Sequence, residues 1–183
     1  MSGHSQWKNI KYRKEIVDKK RAKLFSKISR LIIVATKEKG ADPETNPQLR
    51  TAIEKAQNVN MPKENIDRAI KKGSGQLQGE NLEEITYEAY GPAGVAFIIE
   101  VITDNKNRTV AEIKHILNSF NGKMAETGSV RYQFDKANSG WQAKYPIEIN
   151  DPKTKEKLTK LTDQLEENDD IQEVYSSWKT SNE

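Results

Sequence analysis

The chain has 183 residues, of which 34% are hydrophobic and 31% charged, with a formal net charge of +3 and no cysteine. This length allows one large or two small domains, and the lack of cysteine excludes disulfides and cysteine–zinc sites. The longest apolar run, Val95 to Ile102, contains Glu100 and is far shorter than the roughly 20 residues of a membrane-spanning helix.

The charge is distributed unevenly along the chain. Residues 1–76 carry 18 Lys and Arg against 8 Asp and Glu, whereas residues 77–183 carry 12 against 19. This asymmetry predicts a basic module that binds a polyanion and an acidic module with a different task. Segregation of solvated charge by chance is the alternative.

Residues 1–19 have no clean apolar period, and we predict an irregular or partly helical arm. A secretory signal would need an apolar stretch directly after the cations, and a mitochondrial presequence would be poor in acids such as Glu15 and Asp18. A membrane-surface helix would need a larger apolar face. Because these three alternatives fit the sequence poorly, we favour the interpretation that residues 1–19 form a nucleic-acid-binding arm.

A helical apolar period then predicts three helices. The first runs from Lys20 to Lys39 and ends at Gly40. The second is capped by Asn46 with Pro47 in its first turn, and the third follows the break at 60–62 and ends at Gly73. The inward positions are Leu24, Phe25, Ile28, Leu31, Ile32 and Ala35, then Leu49, Ala52, Ile53, Ala56 and Val59, and finally Ile66, Ala69 and Ile70. Residues 73–79 are rich in glycine and polar residues and are predicted to form a linker.

The second half alternates strand and helix patterns. Strands are predicted at 84–90, 95–103, 129–134, 145–149 and 171–175, and helices from the capping-box spacing at Thr109 and over 152–167. The run at 95–103 is nearly all apolar, as in a central strand buried on both faces. Without the first strand the order is two β-α-β units, which predicts a ferredoxin-like sandwich and an α+β fold class.

No catalytic constellation is found, and no enzyme activity, metal site or cofactor is predicted. His4 and His115 have neither metal nor triad spacing, and His115 is expected to be partly buried. Asp169 and Asp170 could form a carboxylate pair, but their place between helix and strand favours a turn.

Cations dominate the arm and the first helix, and a second cluster flanks the third helix. Such cations can neutralise phosphates, and interleaved aromatics can stack on unpaired bases. Trp7 could instead cap the helical domain, and the second cluster could be a solvated helix face. The residues predicted to contact nucleic acid are His4, Trp7, Lys8, Lys11, Tyr12, Arg13, Lys14, Lys19, Lys20, Arg21, Lys23, Lys27, Arg30, Lys63, Arg68, Lys71 and Lys72.

Four stretches together resemble the YebC/PmpR family, which also includes mitochondrial translational activators of cytochrome c oxidase. They are GHSQWKNIKYRKEIVDKKRAKLFSKISR, ADPETNPQLRTAIEKAQNVNMPKENIDRAIKKG, TYEAYGPAGVAFIIEVITDNKNRTVAEIKHILNSFNGKMAETGSV and LEENDDIQEVY. The resemblance implies a helical domain, a ferredoxin-like α/β domain and a third α/β domain inserted within the second. It also implies a nucleic-acid-associated regulator of gene expression in the cytoplasm.

The chain departs from the family where the inserted domain would be expected. Residues 134–136 are followed by a short segment, 137–144, and then directly by the predicted strand at 145–149. We therefore predict two domains, 1–76 and 77–183, with a short loop near 137–144 in place of the insertion.

Three functions are compatible with the sequence. The first is a ribosome- or RNA-associated translation factor, and the second is a DNA-binding transcriptional regulator that uses the same basic surface. The third is a protein-interaction module in which the acidic domain does the main binding. A monomer is favoured, and no membrane partner is expected.

Overall fold

The chain divides into two units, residues 1–80 and 81–183. The structure, a computed structural model, describes the backbone of residues 3–137 and 140–179 and the side chains within those ranges from Arg13 onward. Helices of the first unit are α1 (Gly3–Lys39), α2 (Pro47–Asn58) and α3 (Lys63–Gly73).

Helix α1 begins at Gly3, so the arm predicted to be irregular or partly helical is helical from that residue onward, and the predicted helix start at Lys20 is wrong. Between Gly3 and Gly40 the chain has neither proline nor glycine and is rich in good helix formers, which favours one uninterrupted helix. The helical spacing of apolar residues is absent before Leu24 and Phe25, because the buried residues of α1 begin only at Ile28. Leu24, predicted to face inward, is 42% exposed.

The core of the first unit lies where α2 and α3 pack on the C-terminal half of α1. It consists of one cluster, with Ile28, Ile32, Ala35, Leu49, Ala52, Ala56, Met61, Ile66 and Ala69. Inward positions were therefore predicted correctly for most of this unit.

Asn46 caps α2 as predicted, and Pro47 occupies the first turn. The Asn46 Oδ1 accepts a hydrogen bond of 3.0 Å from the Leu49 N–H, and the Asn46 Nδ2 donates to the carbonyls of Ala35 and Gly40 at 2.8 Å each. The side chain is fully buried. One residue thus joins the end of α1 to the start of α2 and satisfies backbone groups that helix termini leave unpaired.

Gly73 is the last residue of α3, but the left-handed backbone expected after a helix occurs at Gly75, with φ of +80°. A Cβ atom on Gly73 would lie 2.6 Å from both the Ile33 carbonyl oxygen and the Thr36 Cβ. Gly73 is therefore needed for the close approach of α3 to α1.

The described residues of the second unit form a four-stranded sheet, two α-helices and a separate hairpin. In chain order its elements are β1 (Glu83–Tyr90), β2 (Ala96–Thr103), α4 (Lys106–Ser119), β3 (Lys123–Met124), β4 (Phe134–Ala137), β5 (Gly140–Ala143), α5 (Pro152–Glu167) and β6 (Ile171–Ser176). The sheet order is β3-β1-β2-β6, with every neighbouring pair antiparallel, and β4 pairs with β5. The predicted α+β class, a helical unit followed by a ferredoxin-like sandwich, is confirmed.

Strand β2 is buried on both faces, as its apolar run predicted. Phe97, Ile99 and Val101 pack against the helices, with Ile113 and Leu117 of α4 and the leucines of α5. On the opposite face, Ala96 and Ile98 pack under the β4–β5 hairpin. The hairpin thus covers a sheet face that would otherwise expose apolar side chains to water.

Several predicted boundaries in this unit are wrong. Residues 129–133 form a turn and a short 3-10 helix, and strand β4 starts only at Phe134. The segment 145–149 is not a strand, since only Ile147 bridges to Trp178. Helix α4 begins at Lys106 with Asn105 as its cap, three residues before the predicted start at Thr109.

One central strand of the sheet was left out of the predicted sandwich. The omitted first strand, β1, lies between β2 and β3. In the predicted short loop at 137–144, residues 140–143 form β5, and Asn138 and Ser139 lie outside the described residues.

Candidate nucleic-acid interface

Five of the predicted contact residues lie outside the described side chains. They are His4, Trp7, Lys8, Lys11 and Tyr12. The backbone of α1 passes through all five positions. The geometry of the candidate interface therefore depends on the remaining twelve residues.

Four cations follow one line along α1. Lys19, Lys23, Lys27 and Arg30 are spaced by four, four and three residues, which places them on one face of an α-helix. This face lies opposite the buried Ile28 and is named here the α1 cation ridge. It extends about 16 Å along the helix, the span of several phosphates of a nucleic-acid strand.

The other predicted cations of α1 are Arg13, Lys14, Lys20 and Arg21, and all four are exposed. The Arg21 guanidinium lies 5.2 Å from the centre of the Phe25 ring, so this side chain covers an aromatic of its own helix. Together with the ridge, these residues give eight cations against two acids over residues 13–30.

The second predicted cluster, on α3, has a different character. Lys63, Arg68, Lys71 and Lys72 are all exposed, but the exposed side chains of this helix also include Glu64 and Asp67. Helix positions three and four apart are neighbours, so these acids lie beside Arg68 and Lys71. The exposed face of α3 is consequently of mixed charge, whereas the cations of α1 outnumber its acids by eight to two over residues 13–30.

Sequence reasoning missed a buried carboxylate in the second unit. Glu88 on β1 is buried, and its oxygens accept hydrogen bonds from the N–H groups of Gly128 (2.7 Å), Val130 (2.7 Å) and Arg131 (2.9 Å). Burial acts to raise the pKa of Glu88, but these three bonds and the Arg131 charge outweigh it and lower that pKa. The carboxylate holds 128–131 out of strand geometry.

A second buried carboxylate, Asp170, joins the start of α4 to the start of β6. Its Oδ2 accepts from Thr109 (2.6 Å), Arg108 (2.8 Å) and Thr103 (3.1 Å). Its neighbour Asp169 is exposed. The two residues therefore do not form a carboxylate pair, and the local turn is made by Asn168, whose Oδ1 accepts from the Asp170 N–H.

His115 is exposed on α4, so the expected partial burial is wrong. The helix turns its Ile113 and Leu117 toward the core, and His115 falls between them on the outer side. In the described part of the chain, no three His, Asp or Glu side chains converge as metal ligands would. Over the same residues, no helix combines the length and apolar character needed to cross a membrane.

Two family models match almost the whole chain. One, described as the TACO1/YebC protein N-terminal domain, matches residues 5–76. The other, described as the TACO1/YebC second and third domain, matches residues 82–139 and 135–178.

Individual relatives agree with this assignment. A probable transcriptional regulatory protein of Dictyoglomus turgidum is 48% identical over 97% of this chain and 71% of its own length. One from Persephonella marina is 38% identical over 99% of this chain and 97% of its own. One from Petrotoga mobilis is 55% identical over 74% of this chain, which spans only 54% of that relative.

A solved structure has the same fold. The crystal structure of a conserved hypothetical protein from Aquifex aeolicus superimposes with a TM-score of 0.82 at 35% identity, over 91% of this chain and 93% of that one. Helical and α/β units, family models and relatives all agree, and the chain belongs to the TACO1/YebC family.

Proposed function

We propose that this protein is a non-enzymatic, nucleic-acid-binding regulator of gene expression, acting in the cytoplasm as a ribosome- or RNA-associated translation factor. The observation that carries the proposal is the α1 cation ridge. Its four cations lie on one helix face, and the N-terminal part of the same helix has no buried residue before Ile28 among its described side chains. Of these cations Lys19 is exposed and the other three are half-buried. A line of cations on one helix face is suited to a phosphate backbone, whose condensed counterions it releases on binding.

RNA is favoured over DNA by what the basic surface lacks. Phosphate contacts position a protein, whereas sequence is read by side chains that reach base edges. The exposed face of α3 mixes Glu64 and Asp67 with its cations, which suits a major-groove recognition helix poorly. The proposed aromatic contributors, Trp7 and Tyr12, would stack on unpaired bases, a mode typical of RNA.

A DNA-binding transcriptional regulator is the second candidate. The relatives from Dictyoglomus turgidum and Petrotoga mobilis are named probable transcriptional regulatory proteins. Helices α2 and α3 are joined by the four residues 59–62, which is the connection length of a helix-turn-helix. Sequence-specific binding to a promoter would require α3 to read bases.

We further propose that the β4–β5 hairpin stands in place of the family's inserted third domain, and that the protein acts as a monomer. The hairpin closes the apolar sheet face around Ile98 with Phe134 and Trp141. The second unit can therefore fold without an insertion, and any activity that depends on a third domain would be lost here.

The test combines ribosome co-sedimentation with salt titrations of binding to single-stranded RNA and duplex DNA. Lys19→Ala and Lys27→Ala each remove one ridge cation, and each should flatten the log–log salt slope by about 0.7 for single-stranded RNA. Lys114→Ala removes an exposed cation of α4 and should leave the slope unchanged.

Two results would contradict the proposal. Equal slopes for the ridge variants and the Lys114→Ala control would show that the ridge does not bind phosphates. Failure to co-sediment with ribosomal particles, together with tight sequence-specific promoter binding, would favour the DNA-binding candidate instead.

A further inference from the structure

A groove of about 450 Å³ runs along the outer edge of β6 in the second unit. Its floor is formed by Val174, Tyr175 and Ser176. Val174 belongs to the core on the helix side of the sheet and Tyr175 to the core on the hairpin side. A groove that reaches both faces must lie at the strand edge, with α5 as one wall and Trp141 of β5 as the other.

The backbone at this edge has groups available for another strand. Strand β6 is the terminal strand of the sheet, and the Ser177 N–H donates to the Ala96 carbonyl on β2 at 2.9 Å. Bonding alternates along an antiparallel pair, so Tyr175 also faces β2 while the N–H and C=O groups of Val174 and Ser176 point into the groove. Among the described residues no strand pairs with them.

The same edge accepts a short bridge further along. The Ile147 N–H donates to the Ser177 carbonyl at 2.6 Å, and the Lys179 N–H donates to the Ile147 carbonyl at 3.1 Å. This parallel bridge involves only Ile147 and Trp178. The groove therefore lies where the pairing on this edge stops.

The two walls of the groove differ in chemistry. The α5 wall presents Asp163 and Glu166, three residues apart on one helix face. The hairpin wall presents the half-buried ring of Trp141, which already lies 5.2 Å from the Lys136 ammonium and whose Nε1 donates to Glu100 at 2.9 Å. The first wall favours a cationic side chain, and the second favours an apolar one.

We propose that this groove binds an extended segment of another protein, which adds to β6 as a further strand and carries alternating basic and apolar residues. Successive side chains of a strand point to opposite faces. The basic ones would then meet Asp163 and Glu166, and the apolar ones Trp141 and Tyr175. Main-chain bonds to Val174 and Ser176 provide affinity and the two walls provide specificity, as in strand addition generally.

A second copy of this chain fits the groove poorly. Edge-to-edge pairing of two β6 strands would bring Asp163, Glu166 and Glu173 of one copy toward the same residues of the other. Like charges across a strand pair are destabilising. The charge of the α5 wall therefore selects a basic partner.

The experiment uses the full chain and an eight-residue peptide of four lysine–valine repeats. Isothermal titration at low salt should show binding, and amide hydrogen exchange should slow at Val174 and Ser176. A control peptide with the same composition, ordered as alternating pairs of lysine and valine, cannot place its lysines on one face and should bind at least threefold more weakly.

Variants of the groove locate the site. Asp163→Asn and Glu166→Gln should each weaken binding about threefold, the worth of one exposed ion pair. Thr159→Arg places a cation on the α5 wall and should weaken binding further. Glu126→Gln removes one exposed charge between β3 and β4 and should leave binding unchanged.

Several outcomes would overturn the proposal. Three of them concern the peptide: no binding, binding equal to that of the control peptide, and unaltered exchange at Val174 and Ser176. A fourth outcome comes from sedimentation equilibrium of the free protein. A dimer whose Val174 and Ser176 amides are already protected would show that a second copy covers the edge.

Discussion

The Glu88→Gln substitution tests whether one buried carboxylate holds the segment 128–131 against the sheet. Glutamine has nearly the same shape but one amide group in place of a carboxylate oxygen. If its oxygen keeps the bonds to Val130 and Arg131, its NH₂ group meets the Gly128 N–H, another donor, at the present distance of 2.7 Å.

The magnitude follows from the bonds that change. One charge-assisted bond is lost outright and two others become neutral bonds, which are about half as strong. The Gly128 N–H group, whose bond to Glu88 is part-buried, is also left without its acceptor. We expect the free energy of unfolding of the second unit to fall by about 3 kcal/mol, a large share of the roughly 5–15 kcal/mol typical of a domain.

The assay is urea denaturation followed by tryptophan fluorescence. A Trp7→Phe background leaves Trp141 and Trp178, both in the second unit, as the reporters. Glu83→Gln is the matched control, because Glu83 lies on the same strand and its ion pair with Lys106 is exposed on both sides. That control should cost less than about 1 kcal/mol.

The pH dependence gives a second readout. The pKa of Glu88 is lower than the ordinary value of 4.5, so its stabilising contribution is fully present above that value and is lost as the pH falls through the lowered one. Wild type and Glu88→Gln should therefore converge in stability at acid pH. Equal losses for Glu88→Gln and Glu83→Gln at pH 7, or a difference independent of pH, would refute this reasoning.

Two further predictions concern other parts of the fold. Gly73→Ala should lower the stability of the first unit by about 1–3 kcal/mol in thermal unfolding, because its Cβ would meet α1 at 2.6 Å, whereas Gly79→Ala, with 3.4 Å of clearance, should be neutral. Burial, followed by two nearby glutamates, raises the pKa of Tyr175 to about 12. Tyr175→Phe should therefore remove one late-ionising phenol from an ultraviolet titration, and loss of an early one would contradict the assignment.

The sequence predicted correctly those features of the fold that depend on residues close together in the chain. The capping bond of Asn46 comes from Leu49, three residues away, and Pro47 follows the cap directly, so the local sequence located the start of α2. The uniform apolar run of β2 likewise predicted burial on both faces. Along α1, the helical spacing of the ridge cations is also visible in the sequence, opposite the inward Ile28 and Ile32.

Long-range pairing decided the rest. Glu88 accepts bonds from residues forty or more positions away, and Arg108 and Asp170 are 62 positions apart, so no local pattern signals either carboxylate. The groove beside β6 likewise exists only because the hairpin and α5 meet one strand edge from opposite faces.

By itself the sequence determined helices, caps and the distribution of charge, because these depend on propensity and spacing over a few residues. Only the tertiary structure decided which strand became central, which carboxylates were buried and which edge was left without a strand among the described residues, because those outcomes depend on packing between distant segments.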